Sequence, residues 1–338
     1  MRLTAVLCAT VVFTFSCNEG TKTSNETVRY KIPRGFEDPA IPAENLPTPA
    51  RLELGRRLFY DKRMSLNDDI SCGSCHALSS AFTDGKKVSN GSSGKSGRRN
   101  SPTLANMAWY PYFMAEGGVP TLEMQSLAPI HDTVEMGMNV LALSEKLKSD
   151  KRMNALSQRA YNRDIDPYVI TRALACFQRS FISGDSRYDR YLIDSEKFPL
   201  TEAEERGRRL FFSNNTACSV CHSGYLFTDF GFYNVGLYDH YEDSGKERES
   251  YLPADSGKFK TPTLRNIELT APYMHDGSMN NLEDVMRHYN EGGKAHSSKD
   301  LRVRPLNLSE EQIVDLIAFM KTLTDWNFVQ NKELLPLE

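Results

Sequence analysis

Charge of one sign is scarce in this 338-residue chain: 41 Lys+Arg stand against 44 Asp+Glu, for a net charge of −3. With a pI near 6.2 and no basic stripe, a nucleic-acid partner is excluded. Long hydrophobic runs are absent too. The one apolar stretch, Leu3 to Ser16, falls short of the roughly 20 residues a membrane span needs. Hydrophobic residues at 40%, charged residues at 25% and a mean hydropathy of −0.49 describe a soluble globular protein. They exclude a polytopic membrane protein, a collagen and a disordered chain. No strand-like alternation of any length appears. A disulfide framework is also missing, because four of the seven cysteines (8, 17, 72, 75, 176, 218 and 221) fall in two Cys-x-x-Cys pairs. At roughly 150 residues per domain the length suggests two domains.

The N-terminus reads as an address. Met1-Arg2, the apolar run and a small residue before Cys17 make an export signal over residues 1–17. Thr14-Phe15-Ser16-Cys17 is similar to a lipoprotein cleavage box, with Thr14 where Leu is usual. Two outcomes stay open: a lipid anchor on Cys17 followed by a polar tether over residues 18–35, or a plain signal peptide cleaved nearby. Either places the mature chain in the periplasm.

The mature chain is an internal repeat. Gly55-Arg-Arg-Leu-Phe-Tyr60 returns as Gly207-Arg-Arg-Leu-Phe-Phe212, each behind a threonine, Thr48 or Thr201. Each copy leads into Cys-x-x-Cys-His, at Cys72, Cys75 and His76 and at Cys218, Cys221 and His222, and then into Phe-Thr-Asp at 82–84 and 227–229. Ser101-Pro-Thr-Leu-Ala-Asn106 matches Thr261-Pro-Thr-Leu-Arg-Asn266, and Thr121-Leu-Glu123 matches Asn281-Leu-Glu283, at a constant offset of 160 residues. Helix signals accompany the repeat. Thr48 precedes Pro49 at a first turn, and Thr201 has Glu204 three residues on as a capping box. Residues 168–182 and 309–323 carry helical periodicity, with Ile313, Leu316, Ile317 and Met320 on one face. Residues 85–100 and 239–258 read as loops. The expected fold is mainly α, with two tandem cytochrome c-like haem domains at 36–195 and 196–326 and a tail at 327–338.

Cys-x-x-Cys-His is the attachment signal for c-type haem: two thiols add to the porphyrin and the adjacent His ligates iron. A zinc site would need nearby partners to close it, and residues 77–130 contain no His. The motifs therefore imply two covalent haems, held by His76 and His222. The occupant of each iron's second axial position separates electron transfer from chemistry. The first half offers His131 and Met107, Met114, Met124, Met136 and Met138; the second offers Met274, His275, Met279, Met286, His288 and Tyr289. Cys176 reads as a small buried hydrophobe.

Arg99-Asn-Ser-Pro-Thr-Leu104, Pro129 with Val134-Glu-Met-Gly137, Lys260-Thr-Pro-Thr-Leu-Arg-Asn-Ile267 and Ala271-Pro-Tyr-Met-His-Asp-Gly277, together with the two haem motifs, resemble the bacterial di-haem cytochrome c peroxidase and MauG family. The resemblance covers roughly residues 36–325. It implies a peroxidatic N-terminal haem and an electron-transfer C-terminal haem. Hydrogen peroxide is the implied substrate, and a small cytochrome c or cupredoxin the donor. Glu135 matches the acidic residue beside the peroxide-binding iron, and Gln125 a distal-pocket glutamine. A carboxylate in an apolar pocket suits proton movement between peroxide oxygens; His131 is the alternative base. Calcium held by Asn100 and the carbonyls of Thr270 and Pro272 is implied as well.

Three departures qualify the resemblance. Residues 89–97, where the peroxidases carry a distal His, have none, so the first haem is expected open without reductive activation. The axial position fourteen residues beyond His275 holds Tyr289, as in MauG, where the peroxidases have Met; Met286 is the local rival. The position of the inter-haem Trp relay holds Ala115, with Trp109, Tyr110, Tyr112 and Phe113 nearby. An enzyme oxidising residues of a partner protein and a pure electron-transfer cytochrome remain the alternatives. Monomer and homodimer are equally compatible with the sequence.

Overall fold

The structure, a computed structural model, describes residues 26–337. The export signal and Cys17 lie outside the described residues. Among the described residues no helix is long and apolar enough to cross a membrane. The fold is mainly helical.

In the N-terminal half, α1 (Pro49–Tyr60) leads to α2 (Cys72–Cys75), one turn carrying the first haem motif. Then come α3 (Leu122–Gln125), α4 (Leu127–His131), α5 (Val140–Lys148), α6 (Lys151–Tyr161) and α7 (Pro167–Gln178). The linking helix α8 spans Arg187–Ile193. The C-terminal half repeats the plan with α9 (Glu202–Phe211), α10 (Cys218–Cys221), α11 (Glu247–Ser250), α12 (Leu282–Glu291), α13 (Glu310–Lys321) and α14 (Trp326–Val329). Its sheet is minimal: β1 (Phe232–Tyr233) pairs antiparallel with β2 (Phe259–Lys260). Local chemistry explains the starts. Thr48 accepts from the Arg51 amide with Pro49 at the first position, and Thr201 with Glu204 and Ser309 with Gln312 form capping boxes. The loop at 239–258 contains the short α11. Helices α5, α6 and α8, not expected from periodicity, start at caps of the same kind, Asn139, Asp150 and Ser186.

Each half is held by one helix crossing. A Cβ on Gly55 would lie 2.0 Å from the Ala173 carbonyl oxygen on α7, and one on Gly207 would lie 1.8 Å from the Asp315 carbonyl oxygen on α13. The repeated glycine lets α1 meet α7, and α9 meet α13, backbone to backbone. Two apolar cores result. One gathers Leu54, Leu58, Phe59, Phe82, Leu143, Ile170 and Phe181; the other gathers Phe211, Phe227, Leu316, Phe319 and Leu323. Equivalent asparagines in left-handed backbone, Asn106 and Asn266 (φ 62° and 61°), tie the halves together. Asn106 Oδ1 accepts from the Ser183 amide and Asn266 Oδ1 from the Asp325 amide, while Asn266 Nδ2 donates to Ser183 Oγ.

Packing crosses three of the expected boundaries. Tyr188, inside the expected N-terminal domain, belongs to the second core against Phe227 and Phe319, and Arg265 grips Asp189 through two buried hydrogen bonds. The expected tail contributes Phe328, Val329 and Leu334 to the first core. Part of the expected tether is docked: Val28 donates to Pro47 O, and the Tyr30 hydroxyl donates to the Cys176 carbonyl. Cys176 itself is fully buried.

Candidate functional site

Both Cys-x-x-Cys-His turns open onto one cavity of about 660 Å³ that runs between the halves. Cys72, Cys75, Cys218 and Cys221 are free thiols on its wall. His76 Nδ1 is 2.8 Å from Phe82 O, and His222 Nδ1 is 3.2 Å from Phe227 O. Those carbonyls are aimed by left-handed backbone at Phe82 and Phe227 (φ 62° and 53°), a strained conformation repeated in both halves. The repeated Pro-Thr-Leu block helps hold it: Thr103 Oγ1 donates to Ala81 O and Thr263 Oγ1 to Leu226 O. With Nδ1 committed to a carbonyl, each imidazole keeps Nε2 as the free nitrogen, the usual outer-sphere arrangement of a metal-bound His. Burial lowers both pKa values and favours the neutral ring that ligates iron. Two buried polar atoms in the wall, Ser126 Oγ and Gln178 Oε1, have no hydrogen-bond partner among the described residues. Free thiol pairs, aimed imidazoles and a large, mostly apolar cavity fit a c-type haem at each motif.

Gln125 and Glu135 border this cavity beside the first motif, with Pro129 and Met136. Glu135 sits in a turn rather than a helix, and its main chain is pinned. Its carbonyl accepts from the Ser92 amide, Leu66 donates to Met136 O, and a Cβ on Gly91 would lie 2.5 Å from Glu135 O. The histidine-free loop after the first haem motif is therefore what clamps the Glu135 turn. Burial raises the Glu135 pKa, the Asp132 charge adds to the rise, and Arg98 opposes it. His131 is turned elsewhere: Nδ1 meets Leu127 O on its own helix, the ring is exposed, and the residue is not on the cavity wall. Met107 and Met114 are on the wall.

On the second side, Tyr289 and Met286 both border the cavity. Met286 is packed into the second core at 5% exposure. His288 is engaged with Val235 O at 3.0 Å. The Tyr289 hydroxyl makes no hydrogen bond among the described residues, and burial, with the two cysteines of the motif next, raises its pKa. Asn100, Thr270 and Pro272 border the cavity too. The sequence did not reveal the network at the junction, where Arg99 takes Asp243 through two hydrogen bonds and also pairs with Glu116. Glu116 is 17 residues away but Asp243 is 144, and only Arg99's place in the Arg99–Leu104 block pointed to the network.

The profile of the di-haem cytochrome c peroxidase family, which includes MauG, matches residues 49–197. A methylamine utilization protein MauG from Methylorubrum extorquens is 35% identical over 285 residues, 83% of this chain and 80% of that protein. This chain belongs to the di-haem cytochrome c peroxidase and MauG family. The cytochrome c peroxidase Ccp of Escherichia coli is 30% identical over 313 residues, 89% of this chain and 63% of that protein. A crystal structure of a MauG-like protein associated with microbial copper homeostasis superposes with a TM-score of 0.86 at 35% identity, covering 91% of this chain and 99% of that one. The family carries two c-type haems, in keeping with the two motifs on one cavity.

Proposed function

We propose that this chain is an exported, periplasmic di-haem peroxidase that reduces hydrogen peroxide at the first haem site, drawing electrons through the second from a small cytochrome c or cupredoxin. The observation that carries the reading is the asymmetry of the cavity. Glu135 lies near Cys72 and Cys75 of the first motif and Gln125 shares the cavity wall, whereas Tyr289, whose hydroxyl makes no hydrogen bond among the described residues, lies near Cys218 and Cys221 of the second. Bound at these motifs, c-type haem supplies an iron that takes peroxide and a second redox centre that stores oxidising equivalents. The protein's part is to position and to move protons. Glu135, held as a base of raised pKa, takes the proton from one peroxide oxygen and returns it to the other. Gln125 donates its amide hydrogens to orient the substrate. For calcium, Asn100 Nδ2 donates to Lys86 O at 2.8 Å, leaving Oδ1 and the carbonyls of Thr270 and Pro272 as oxygen donors that water would complete.

A second reading, a MauG-like enzyme that oxidises residues of a partner protein, is favoured by the same phenol. A phenolate ligand is hard and anionic and stabilises oxidised iron, whereas a thioether favours the ferrous state. One experiment tests the proposal. The ferric protein as isolated should show one high-spin and one low-spin haem, and peroxide should shift the Soret band without prior reduction. Two low-spin haems inert to peroxide would instead mark an electron-transfer cytochrome.

A further inference from the structure

Three stretches of backbone meet beside the first haem motif. Residues 65–70 lead into Cys72, the loop at 89–97 follows His76, and the turn at 133–136 carries Glu135. The loop closes on itself: the Gly91 amide donates to Lys95 O at 2.9 Å and the Gly97 amide to Ser89 O at 2.7 Å. Three glycines in these nine residues, 91, 94 and 97, give the chain much freedom to lose on ordering. Ser92 fastens the loop from outside.

Ser92 is 5% exposed, and each of its polar atoms has a partner. Its Oγ donates to Asp69 Oδ1 at 2.6 Å and accepts from the Asn67 amide at 3.1 Å. Its carbonyl accepts from Asn67 Nδ2 at 2.6 Å, and its amide donates to Glu135 O at 2.8 Å. The 65–70 stretch holds the next peptide as well, through the Leu66 amide and Met136 O at 2.9 Å. Asp69 is itself anchored, its amide donating at 3.2 Å to Oγ of the fully buried Ser65. On the other side, the Glu135 amide donates to Asp132 O at 3.0 Å. The backbone is thus held on both sides of the Glu135 Cα, and the side chain keeps only its own rotations.

We propose that Ser92, through Asp69 and Asn67, is the positioning residue that holds Glu135 at the first haem site; this rests on the di-haem peroxidase reading and deepens it. The lock joins the segment that enters the haem turn to the segment that bears the acid–base group, so the two keep one geometry. Glu135 has to reach both peroxide oxygens in turn, and a misplacement of about 1 Å can cost about 10²-fold in rate. The lock keeps its form while Glu135 titrates. The hydrogen bond from Ser92 comes first among the causes that hold Asp69 below the usual carboxylate range, so Asp69 stays an anionic acceptor. Glu135 is raised instead, by burial first, with Asp132 adding and Arg98 opposing. Of the other groups around it, Cys72 and Cys75 become thioethers when haem is attached, Asp68 is paired with Lys146, and Lys95 is exposed on the loop. The acid limb of turnover therefore reports Glu135 and not Asp69.

The test uses the full-length, haem-loaded ferric protein, read by amide hydrogen exchange over residues 132–138 and by steady-state peroxide turnover against pH. Ser92→Ala should speed exchange in that segment and slow turnover by about tenfold to hundredfold. Its acid limb should move down toward the ordinary carboxylate range, because the loosened turn admits water to Glu135. Asp69→Ala, at an exposed position, should do the same, whereas Asp69→Asn, which keeps Oδ1 as an acceptor, should keep most of the rate. Ser92→Ala combined with Asp69→Ala should cost no more than either alone, since both remove one hydrogen bond. Ser96→Ala is the control: its hydroxyl meets Asn90 Oδ1 within the loop, and the variant should match wild type. Unchanged exchange in both single variants overturns the lock. Faster exchange with wild-type turnover and acid limb makes Ser92 merely structural and overturns the positioning role alone. If Ser92→Ala loads haem poorly, the two Asp69 variants decide. A wild-type protein that turns over no peroxide overturns the peroxidase reading and this role together.

Discussion

Glu135 owes its protonation state to its walls. Burial and Asp132 disfavour its anion while Arg98 favours it, and the sum is a raised pKa. A base of raised pKa loses its working form as pH falls through that raised value, so peroxide turnover should carry an acid limb above the ordinary carboxylate range. Glu135→Gln keeps the shape but moves no proton. Turnover should fall by about 10²–10⁴-fold and the acid limb should vanish, with both haem spectra intact. Steady-state peroxide consumption against pH reads both, and surviving turnover would shift the role to another group. At this scale the Cys-x-x-Cys-His pattern could be read directly, because Cys72, Cys75 and His76 stand within one turn. The Phe82 and Phe227 carbonyls that fix the imidazoles could not, since a left-handed phenylalanine has no sequence signature.

The helix crossings set two local effects against each other. An interior Gly costs a helix about 1 kcal/mol relative to Ala, so propensity alone makes Gly207→Ala stabilising on α9. Packing says the reverse, because the new Cβ would sit 1.8 Å from the backbone oxygen of Asp315, which no rotamer can move. Overpacking of this kind typically costs about 1–3 kcal/mol, enough to win. Gly207→Ala should therefore lower the thermal midpoint, whereas Arg209→Ala on the exposed face of the same helix should stay within about 0.5 kcal/mol. Differential scanning calorimetry of the two variants decides, and a neutral Gly207→Ala would mean that α9 and α13 can part at no cost. The caps at Thr48 and Thr201 could be read ahead because a cap is a three-residue event, and α13 because its apolar stripe is long. Helices α5, α6 and α8 escaped because their apolar stripes are short, although Asn139, Asp150 and Ser186 announced their starts. The Arg99–Asp243 pair was illegible for a deeper reason: its partners lie 144 residues apart and meet only when both halves are folded.

Across the whole molecule, the chain's end braces its beginning. Phe328, 4% exposed, lies 5.8 Å from Phe82, and Phe82 is stacked on Phe181 at 3.9 Å and 6°. Asp325 positions this end: its Oδ1 accepts from the Phe328 amide while its Oδ2 accepts from the Gly184 and Asp185 amides. Further along, Arg56 donates to Lys332 O, and Tyr60 to Leu334 O. Because the Phe82 carbonyl orients His76, the C-terminal segment supports the ligand of the first haem site although it comes after the second in sequence. Removing a buried Phe side chain costs about 3–5 kcal/mol, the lost transfer energy plus the cavity left behind. Phe328→Ala should lose stability of that order in denaturant unfolding. Its spectroscopic effect should be one-sided: resonance Raman should show an altered iron–histidine mode at the first haem and an unchanged second haem, since His222 leans on Phe227 in the other core. Equal perturbation of both haems would show that the two cores respond as one cooperative body, and a change confined to the second would refute the bracing of His76 by the C-terminus.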